Sequence, residues 1–212
     1  MPYRSTFDRL FTFELRVALA VLALVLMALA VSVVWRRARP GVEPSKTAKH
    51  PVLEGTLAVA LFGLALFLVV DTTGANATDS RPPRAPALDV KVTAFQWCWR
   101  FTYVTAGFSQ SGNCFDAKDL PTLVVPTRRP VELEVRSIDV VHELWVPYLR
   151  YKLMVFPGHV NRMTFTVPRT GTWLAHCSEF CGLYHDTMEF HLTAVRPGAF
   201  QRFEASRGTL PP

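Results

Sequence analysis

The 212-residue sequence lacks the motifs of several common binding sites. It has no C-x-x-C-H, so it offers no attachment site for a covalent c-type haem. It has no P-loop, no G-x-G-x-x-G and no internal repeat, which argues against a nucleotide-binding or repeat fold. Cysteine is scarce, with four residues, and the 17 acidic residues are outnumbered by 23 basic ones. Apolar residues make up 50% of the chain, and they are spread unevenly along it.

Two long apolar runs predict a membrane hairpin in residues 1–71. The first run, 17–35, contains no charged residue, and the second, 52–70, contains only Glu54. Each run is about as long as a helix needs to be to cross a bilayer. A cleaved signal peptide is the alternative for the first run, but no clean small-residue cleavage site follows it. The segment 36–51 is basic, and short basic loops stay in the cytoplasm. All residues after the hairpin are therefore expected on the other side of the membrane, outside the cytoplasm.

The rest of the chain has the pattern of a β-domain that follows a linker. Residues 72–87 are small, polar or proline, which is typical of an exposed linker. From Leu88 onward, short runs rich in β-branched and aromatic residues alternate with turn signals, as in a β-sandwich. The sequence thus predicts a membrane-anchored all-β protein, with a two-helix transmembrane hairpin and then a sandwich over residues 88–212. The later β-rich runs are 123–125, 131–136, 160–167, 173–176 and 189–195, and 198–207 is predicted to be a short helix.

Soft metal ligands are concentrated in the stretch Cys177-Ser-Glu-Phe-Cys181-Gly-Leu-Tyr-His185-Asp-Thr-Met188. Thiolate with thioether favours copper, whereas thiolate with imidazole also suits zinc. A second imidazole, His142, lies upstream, just after a predicted strand. A blue-copper site needs one Cys, two His and a long axial Met. The surplus cysteine therefore predicts that two sulfurs bridge a pair of copper ions.

Simpler interpretations of this stretch explain less of it. A Cys177–Cys181 disulfide suits an oxidising compartment, but it leaves two histidines and Met188 without a role. A Cys₂His₂ zinc site has comparable spacing, yet methionine is a poor zinc ligand. Core packing is the usual role of a lone methionine. The complete set of donors favours copper.

The motif C-x-E-x-C-G-x-x-H-x-x-M, with an upstream D-x-x-H-x-x-x-V-P that begins at Asp139, resembles subunit II of haem–copper cytochrome c oxidases. The resemblance covers nearly the whole chain. It implies a cupredoxin-like Greek-key β-sandwich that carries a binuclear, mixed-valence copper centre, CuA. The ligands it implies are Cys177 and Cys181 as bridges, His142 and His185 as terminal ligands, and Met188 and the Glu179 backbone carbonyl as axial ligands.

The same resemblance implies roles for three further groups. Trp97 matches an exposed tryptophan that receives electrons from cytochrome c, although core packing is the usual role of such a residue. Strand geometry separately predicts that Trp99, two residues further along an extended strand, lies on the same face as Trp97. The Glu179 carboxylate would bind a magnesium or manganese ion that the catalytic subunit completes. Glu54 would mark the start of a proton channel, although an acid near a helix end can also simply reach the membrane interface.

The implied function is that of subunit II of a cytochrome c oxidase, a proton-translocating oxidoreductase of the cell membrane. Its C-terminal domain would lie on the periplasmic side. It would accept electrons from cytochrome c, or from a tethered cytochrome or cupredoxin, and pass them to haem in subunit I, where oxygen is reduced to water. Subunit III is a further expected partner, and nucleic acid is not expected. The alternatives are the CuA subunit of a nitric oxide reductase and a membrane-anchored copper storage or delivery protein.

Two features depart from the pattern of that family. Cys98 and Cys114 lie symmetrically about Ala106, so a hairpin that turns near Ala106–Gly107 would allow a cross-strand disulfide; two separate buried thiols are the alternative. Basic residues also outnumber acidic ones after Leu88. The sum of charges therefore does not by itself provide the negative patch that steers a basic donor, although it leaves room for a local one, and the donor could instead be a tethered cytochrome or a cupredoxin.

Overall fold

Two long apolar helices form the first part of the chain. The computed structural model describes residues 2–35, 41, 49–79 and 88–209. Helix α1 spans Pro2–Trp35 and helix α2 spans Pro51–Asp79. They contain membrane-length apolar segments of 32 and 25 residues, and at about 1.5 Å per residue either one exceeds the roughly 30 Å hydrocarbon core. Residues 6–78 form one unit, and the β-domain belongs to a second unit.

The helix ends differ from the prediction because an apolar run marks the membrane span and not the whole helix. Helix α1 begins at Pro2 and not near residue 17, since the mixed-charge segment before the run contains good helix formers such as Leu, Glu and Arg. Helix α2 continues to Asp79, so the predicted linker is wrong for residues 72–79. The Thr72 and Thr73 hydroxyls donate to carbonyl oxygens four residues earlier, at 2.8 and 2.7 Å, and are thus satisfied within the helix. Residues 80–87, and most of the predicted cytoplasmic loop, lie outside the described residues.

Residues 88–209 form ten strands in two five-stranded sheets, followed by a short helix. The strands are β1 Leu88–Phe95, β2 Cys98–Tyr103, β3 Phe108–Ser111, β4 Thr122–Pro126, β5 Val131–Ser137, β6 His142–Val146, β7 Tyr151–Val155, β8 Asn161–Phe165, β9 Gly171–Cys177 and β10 Glu189–Val195, and helix α3 is Pro197–Ala205. The sheet orders are β3-β2-β1-β5-β8 and β4-β10-β9-β6-β7. The β1–β5 and β4–β10 pairs are parallel and the other pairs are antiparallel. This architecture confirms the predicted order of two apolar helices and a β-sandwich.

The core lies between the two sheets because alternate residues of each strand are apolar. On β5, Val131, Leu133 and Val135 are fully buried, while the glutamates between them are only half-buried. Aromatic side chains extend across the sandwich: the ring of Trp99 on β2 meets that of Phe190 on β10, with centroids 5.5 Å apart. Burial of these large side chains supplies most of the driving force for folding of the domain.

A buried tyrosine joins the two sheets through hydrogen bonds to the backbone. The Tyr103 hydroxyl, at the end of β2, donates to the Val124 carbonyl of β4 and accepts from the Val124 N–H, both at 2.8 Å. Burial raises the pKa of Tyr103 far above its usual value, and the bond to Val124 offsets this only in part. Tyr103 therefore keeps its proton in the folded chain under conditions in which an unfolded chain would lose it.

Replacing Tyr103 by phenylalanine is expected to lower the free energy of unfolding by about 1–3 kcal/mol, because the Val124 backbone groups lose their partner. The native tyrosine should also make stability fall as the pH rises above about 10, where only the unfolded chain releases the phenolic proton. Denaturant unfolding at several pH values measures both effects. Tyr184→Phe, at an exposed tyrosine, is the control and should change neither. A Tyr103→Phe variant with native stability and an unchanged alkaline loss would contradict this role.

The β2–β3 hairpin carries the disulfide anticipated from the cysteine spacing. It turns at residues 104–107, where Gly107 has the positive φ of 68° that a non-glycine residue rarely adopts. Cys98 and Cys114 are bonded, with their Cα atoms 5.4 Å apart. The strand ladder ends at the Arg100–Ser111 pair, so the disulfide closes the open end of the hairpin and does not join two paired strand residues. The predicted bond is confirmed, but the prediction that it joins two opposite strand residues is wrong.

Candidate metal centre

The predicted copper ligands come from two neighbouring strands and one loop. His142 is the first residue of β6, and Cys177 is the last residue of β9. These strands are antiparallel neighbours, with Leu144 opposite Cys177, so His142 lies where the β9–β10 loop begins. The Cys177 N–H donates to the Met188 carbonyl at 2.9 Å and closes that loop, residues 177–188, which we call the ligand loop. All the predicted ligands are therefore held at one end of the sandwich.

Cys177 has an imidazole and a backbone carbonyl as neighbours. Its Sγ lies 3.8 Å from His142 Nδ1 and 3.3 Å from the Glu179 carbonyl oxygen. Burial alone would raise the pKa of Cys177, but hydrogen bonds with His142 and with the backbone at Glu143 and Glu179 hold it below the usual value. Burial would likewise lower the pKa of His142, but hydrogen bonds with Cys177 and Asp139 raise it. The site thus favours a thiolate at Cys177.

Cys181 has an imidazole and a thioether as neighbours. Its Sγ lies 3.5 Å from His185 Nδ1 and 3.8 Å from Met188 Sδ. The Cys181 and Cys177 sulfurs are 3.9 Å apart. Burial, together with the charge of the nearby Cys177, raises the pKa of Cys181 to about 12. The structure therefore brings two sulfurs together, each with one imidazole nitrogen and one weaker donor.

These donors fit a pair of soft metal ions. Metal–thiolate bonds are about 2.3 Å long, so two sulfurs 3.9 Å apart can both bond to the same ion. His142, Cys177 and Cys181 offer ligand atoms that all lie within 4.8 Å of one another. Both cysteines are free thiols, so the alternative of a Cys177–Cys181 disulfide is not what the structure contains. Thiolate, imidazole and thioether together favour copper over hard cations.

A carboxylate fixes the ring of His142. Asp139 Oδ1 accepts a hydrogen bond from His142 Nε2 at 2.8 Å, and the other ring nitrogen faces Cys177. The same carboxylate accepts from the backbone N–H groups of Gln96 and Val140, both at 2.6 Å. Burial opposes ionisation of Asp139, but these hydrogen bonds lower its pKa. A carboxylate on the second ring nitrogen is typical of metal-binding histidines, where it sets the tautomer and the ring orientation.

Replacing Asp139 by asparagine is expected to weaken copper binding by about 10- to 100-fold. The amide keeps one oxygen as an acceptor but turns an N–H₂ group towards a donor, either His142 or Gln96, that the carboxylate satisfied. Competition with a copper chelator measures the affinity. Asp186→Asn is the matched control, because Asp186 is exposed although it adjoins the ligand loop residue His185. Equal copper affinity in the two variants would mean that Asp139 does not position His142.

Trp97 lies directly beside the ligand loop. It occupies the two-residue turn between β1 and β2 and is half-buried. Its indole N–H donates to the Cys181 carbonyl oxygen at 3.2 Å, and the Gln96 amide donates to the same oxygen at 2.7 Å. Its ring meets that of Tyr184 edge-on, with centroids 4.9 Å apart. The residue predicted to receive electrons is thus one hydrogen bond from the backbone of a predicted cysteine ligand.

The prediction that Trp99 shares a face with Trp97 is wrong, because the chain turns at Trp97 before β2 begins. Trp99 is fully buried, and its indole N–H donates to the Met188 carbonyl at 3.4 Å. It therefore supports the ligand loop from inside the core. Gln96 and Tyr184 were not predicted. Two features of the sequence could have indicated them: Gln96 adjoins Trp97, and Tyr184 lies inside the ligand loop.

Glu54 lies in the first turn of α2, in the unit formed by the helices. Its carboxylate accepts a hydrogen bond from the His50 backbone N–H at 3.0 Å, and its own N–H donates to the His50 carbonyl at 2.9 Å. This reciprocal pair resembles a capping box and stabilises the start of the helix. Glu54 thus has a local structural role, and its part in a proton channel stays a prediction.

Known proteins with similar sequences and folds point to one kind of oxidase subunit. The family model for "Cytochrome C oxidase subunit II, periplasmic domain" matches residues 111–195, which contain every predicted copper ligand. A probable cytochrome c oxidase subunit 2 of Streptomyces avermitilis is 28% identical over 79% of this chain and 64% of its own length. A similar protein of Nocardia farcinica is 24% identical over 95% of this chain and 71% of its own length. The periplasmic domain of subunit II of cytochrome oxidase of Bradyrhizobium japonicum has a TM-score of 0.54 and 26% identity over 59% of this chain and 95% of that domain.

The chain spans about half to two thirds of the length of several curated relatives, from 49% of the Mycobacterium tuberculosis subunit 2 to 64% of the Streptomyces protein. Its sandwich matches the cupredoxin-like periplasmic domain of subunit II in fold. Two helices of membrane length and the match to a periplasmic domain place the chain in the membrane, with its β-domain on the periplasmic side.

Proposed function

We propose that this chain, a relative of cytochrome c oxidase subunit II, is the electron-accepting subunit of a haem–copper terminal oxidase. Its β-domain receives electrons through a binuclear copper centre, CuA, and passes them to haem in a separate catalytic subunit. The observation that carries this proposal is the pair of free, buried thiols 3.9 Å apart, each beside an imidazole nitrogen. Copper bound there supplies a one-electron acceptor and donor.

The residues of the site would hold the metal with little room for movement. Cys177 and Cys181 would hold the two copper ions together with His142 and His185, and Met188 and the Glu179 carbonyl would supply weaker donors. Asp139 fixes one imidazole, and a backbone hydrogen bond closes the ligand loop. Burial of His142 and Met188 keeps water from the inner side of the site. A site that cannot relax much suits electron transfer, since little rearrangement accompanies the change in charge.

Electrons are proposed to reach this centre through Trp97. The indole is partly exposed on one side and hydrogen-bonded to the backbone of Cys181 on the other. It therefore connects the protein surface to a bridging ligand without an intervening side chain. The contact with Tyr184 holds the ring in that orientation. These contacts support the function implied by the resemblance over simple core packing.

The surface around the site is acidic, although the whole domain is basic. In the loops 112–121 and 178–188 the charged side chains are Asp116, Lys118, Asp119, Glu179 and Asp186. Even without Glu179, three aspartates against one lysine give this end a negative field. A basic donor such as cytochrome c, or a tethered equivalent, would be steered towards it. The sum of charges over the domain concealed this local excess.

The remaining parts of the proposed function depend on partner subunits. The Glu179 carbonyl faces Cys177 while its side chain is half-buried, and we assign its carboxylate to a magnesium or manganese ion completed by the catalytic subunit. Oxygen reduction to water and proton translocation would take place in subunit I, which holds the haems. Subunit III is a further proposed partner, and Glu54 would lead protons towards subunit I.

The decisive experiment is to load the full chain with copper in detergent and to record its visible and electron paramagnetic resonance spectra. A purple protein whose hyperfine pattern shows one electron shared equally by two copper ions is the expected result. Resistance of that copper to chelators would separate an electron-transfer centre from a copper-delivery protein. A single-copper pattern, or a colourless zinc protein, would overturn the proposal.

A further inference from the structure

An arginine-lined cleft lies at the end of the β-domain away from the copper ligands. Its volume is about 520 Å³, and it forms where three connections meet. Arg128 lies on the β4–β5 turn, Arg169 on the β8–β9 turn and Arg196 between β10 and α3. The copper ligands lie instead at the opposite ends of β5, β9 and β10. The cleft is therefore separate from the proposed electron-transfer site.

Backbone hydrogen bonds fix the three connections relative to one another. The Thr127 N–H donates to the Val195 carbonyl, next to Arg196, at 2.8 Å. The Arg128 N–H donates to the Val167 carbonyl at 2.8 Å. Arg128 has a φ of 60°, a left-handed conformation that few non-glycine residues adopt. The three arginines thus extend from connections whose backbones are held together by hydrogen bonds without any ligand.

The charge of this cleft is not balanced by neighbouring side chains. None of the residues that line it is acidic. Within the described part of the chain, Arg128, Arg169 and Arg196 form no ion pair, whereas Arg162 on the first sheet pairs with Glu132 and Glu134. Guanidinium groups gathered without a counter-charge repel one another. An anion in the cleft would remove that repulsion.

The guanidinium of Arg169 is held in position by aromatic rings. Its Cζ lies 5.6 Å from the Tyr148 ring centroid and 5.9 Å from that of Trp173. These two rings are themselves stacked, with centroids 3.8 Å apart. Its Nε–H also donates to the Tyr148 hydroxyl at 3.4 Å, which leaves the two terminal N–H₂ groups for a ligand. Planar, bidentate donors of this kind match the oxygen atoms of a phosphate group.

We propose that this cleft binds a phosphate group, either as inorganic phosphate or as the headgroup of an anionic phospholipid. Thr170 also lines the cleft, and its hydroxyl offers a neutral donor beside the three arginines. The volume exceeds that of phosphate alone and so leaves space for the rest of a headgroup. Both sources present the same charged oxygen atoms, and the experiment separates them.

The test is a calorimetric titration of the full chain in detergent at constant ionic strength. Inorganic phosphate is one ligand, with chloride as the reference anion, and short-chain phosphatidylglycerol is the other, with phosphatidylcholine as the reference lipid. Saturable binding of inorganic phosphate would assign a free-phosphate site, and binding of phosphatidylglycerol alone would assign a headgroup site. Absence of saturable binding of both ligands would overturn the proposal.

Variants distinguish a built site from general surface charge. Arg128→Gln and Arg196→Gln, tested separately, are each expected to weaken binding by about tenfold. Arg162→Gln removes the same charge from a paired arginine elsewhere on the domain and should leave the affinity unchanged. Equal weakening by Arg162→Gln would show that only net charge matters and would contradict the site. Because no copper signal is measured, the result does not depend on the proposed electron-transfer function.

Discussion

Replacing Cys181 by serine is expected to abolish the shared two-copper signal and to leave at most one copper ion per chain. A serine hydroxyl is a hard donor that keeps its proton, so it cannot replace a thiolate as a bridge between two copper ions. Cys177 and His142, 3.8 Å apart, would remain as donors for a single ion. The electron paramagnetic resonance pattern should change from one electron shared by two copper ions to one electron on a single ion. Metal analysis should show the loss of one copper.

The control for this variant removes two other cysteines of the same domain. Cys98→Ala/Cys114→Ala eliminates the disulfide but no proposed ligand, so the copper spectrum should stay unchanged. Comparison of the two variants separates the loss of a ligand from general damage to the fold. A Cys181→Ser protein that kept the shared-electron pattern would mean that one thiolate is enough and that the bridging assignment is wrong.

Strands with a clear alternation were predictable from the sequence, whereas β6, β7 and the helix ends were not. Alternation along β5, where Val131, Leu133 and Val135 face the core, is a local property of the sequence and directly predicts a half-buried strand. Composition predicts a linker at Thr72 and Thr73, because small polar residues have a low propensity for helix interiors. Their hydroxyls instead donate to carbonyl oxygens one turn earlier. Composition alone does not predict these hydrogen bonds.

The candidate ligands could be found from spacing, but their surroundings could not. Cys177, Cys181, His185 and Met188 lie within one loop, so their proximity follows from the chain itself. The position of Trp97 depends on a turn between β1 and β2 that interrupts the alternation assumed for an extended strand. The arginine cleft is less predictable still, because it joins three turns that are distant in sequence and match no motif.

Removing the Cys98–Cys114 disulfide is expected to lower the free energy of unfolding of the β-domain by about 3 kcal/mol. The two cysteines are 16 residues apart, and opening a loop of about that length returns this much conformational freedom to the unfolded chain. Alanine at both positions avoids placing hydroxyls in a buried site, since the residues are only 7% and 4% exposed. Denaturant unfolding of the full chain in detergent, followed by tryptophan fluorescence, measures the loss.

The matched control lies in the same hairpin. The Thr102 and Ser109 hydroxyls are 2.8 Å apart across β2 and β3 at an exposed position, and Thr102→Ala/Ser109→Ala should cost less than about 1 kcal/mol. Reduction of the native protein should reproduce the larger loss, and reduction of the alanine variant should have no effect. A disulfide variant no less stable than the hydroxyl variant would show that the covalent link does not stabilise the domain.

The same disulfide variant should take up electrons more slowly while its copper spectrum stays unchanged. Cys98 directly follows Trp97, and Cys114 directly precedes Phe115, whose ring meets that of Tyr184 with centroids 5.2 Å apart. Since Tyr184 also contacts Trp97 at 4.9 Å, the covalent link holds both ends of a row of three rings. Stopped-flow reduction of the copper-loaded chain by a reduced soluble c-type cytochrome measures the rate. A native rate in this variant, with the stability loss present, would mean that the disulfide serves the fold alone and that Trp97 is positioned by its bond to Cys181.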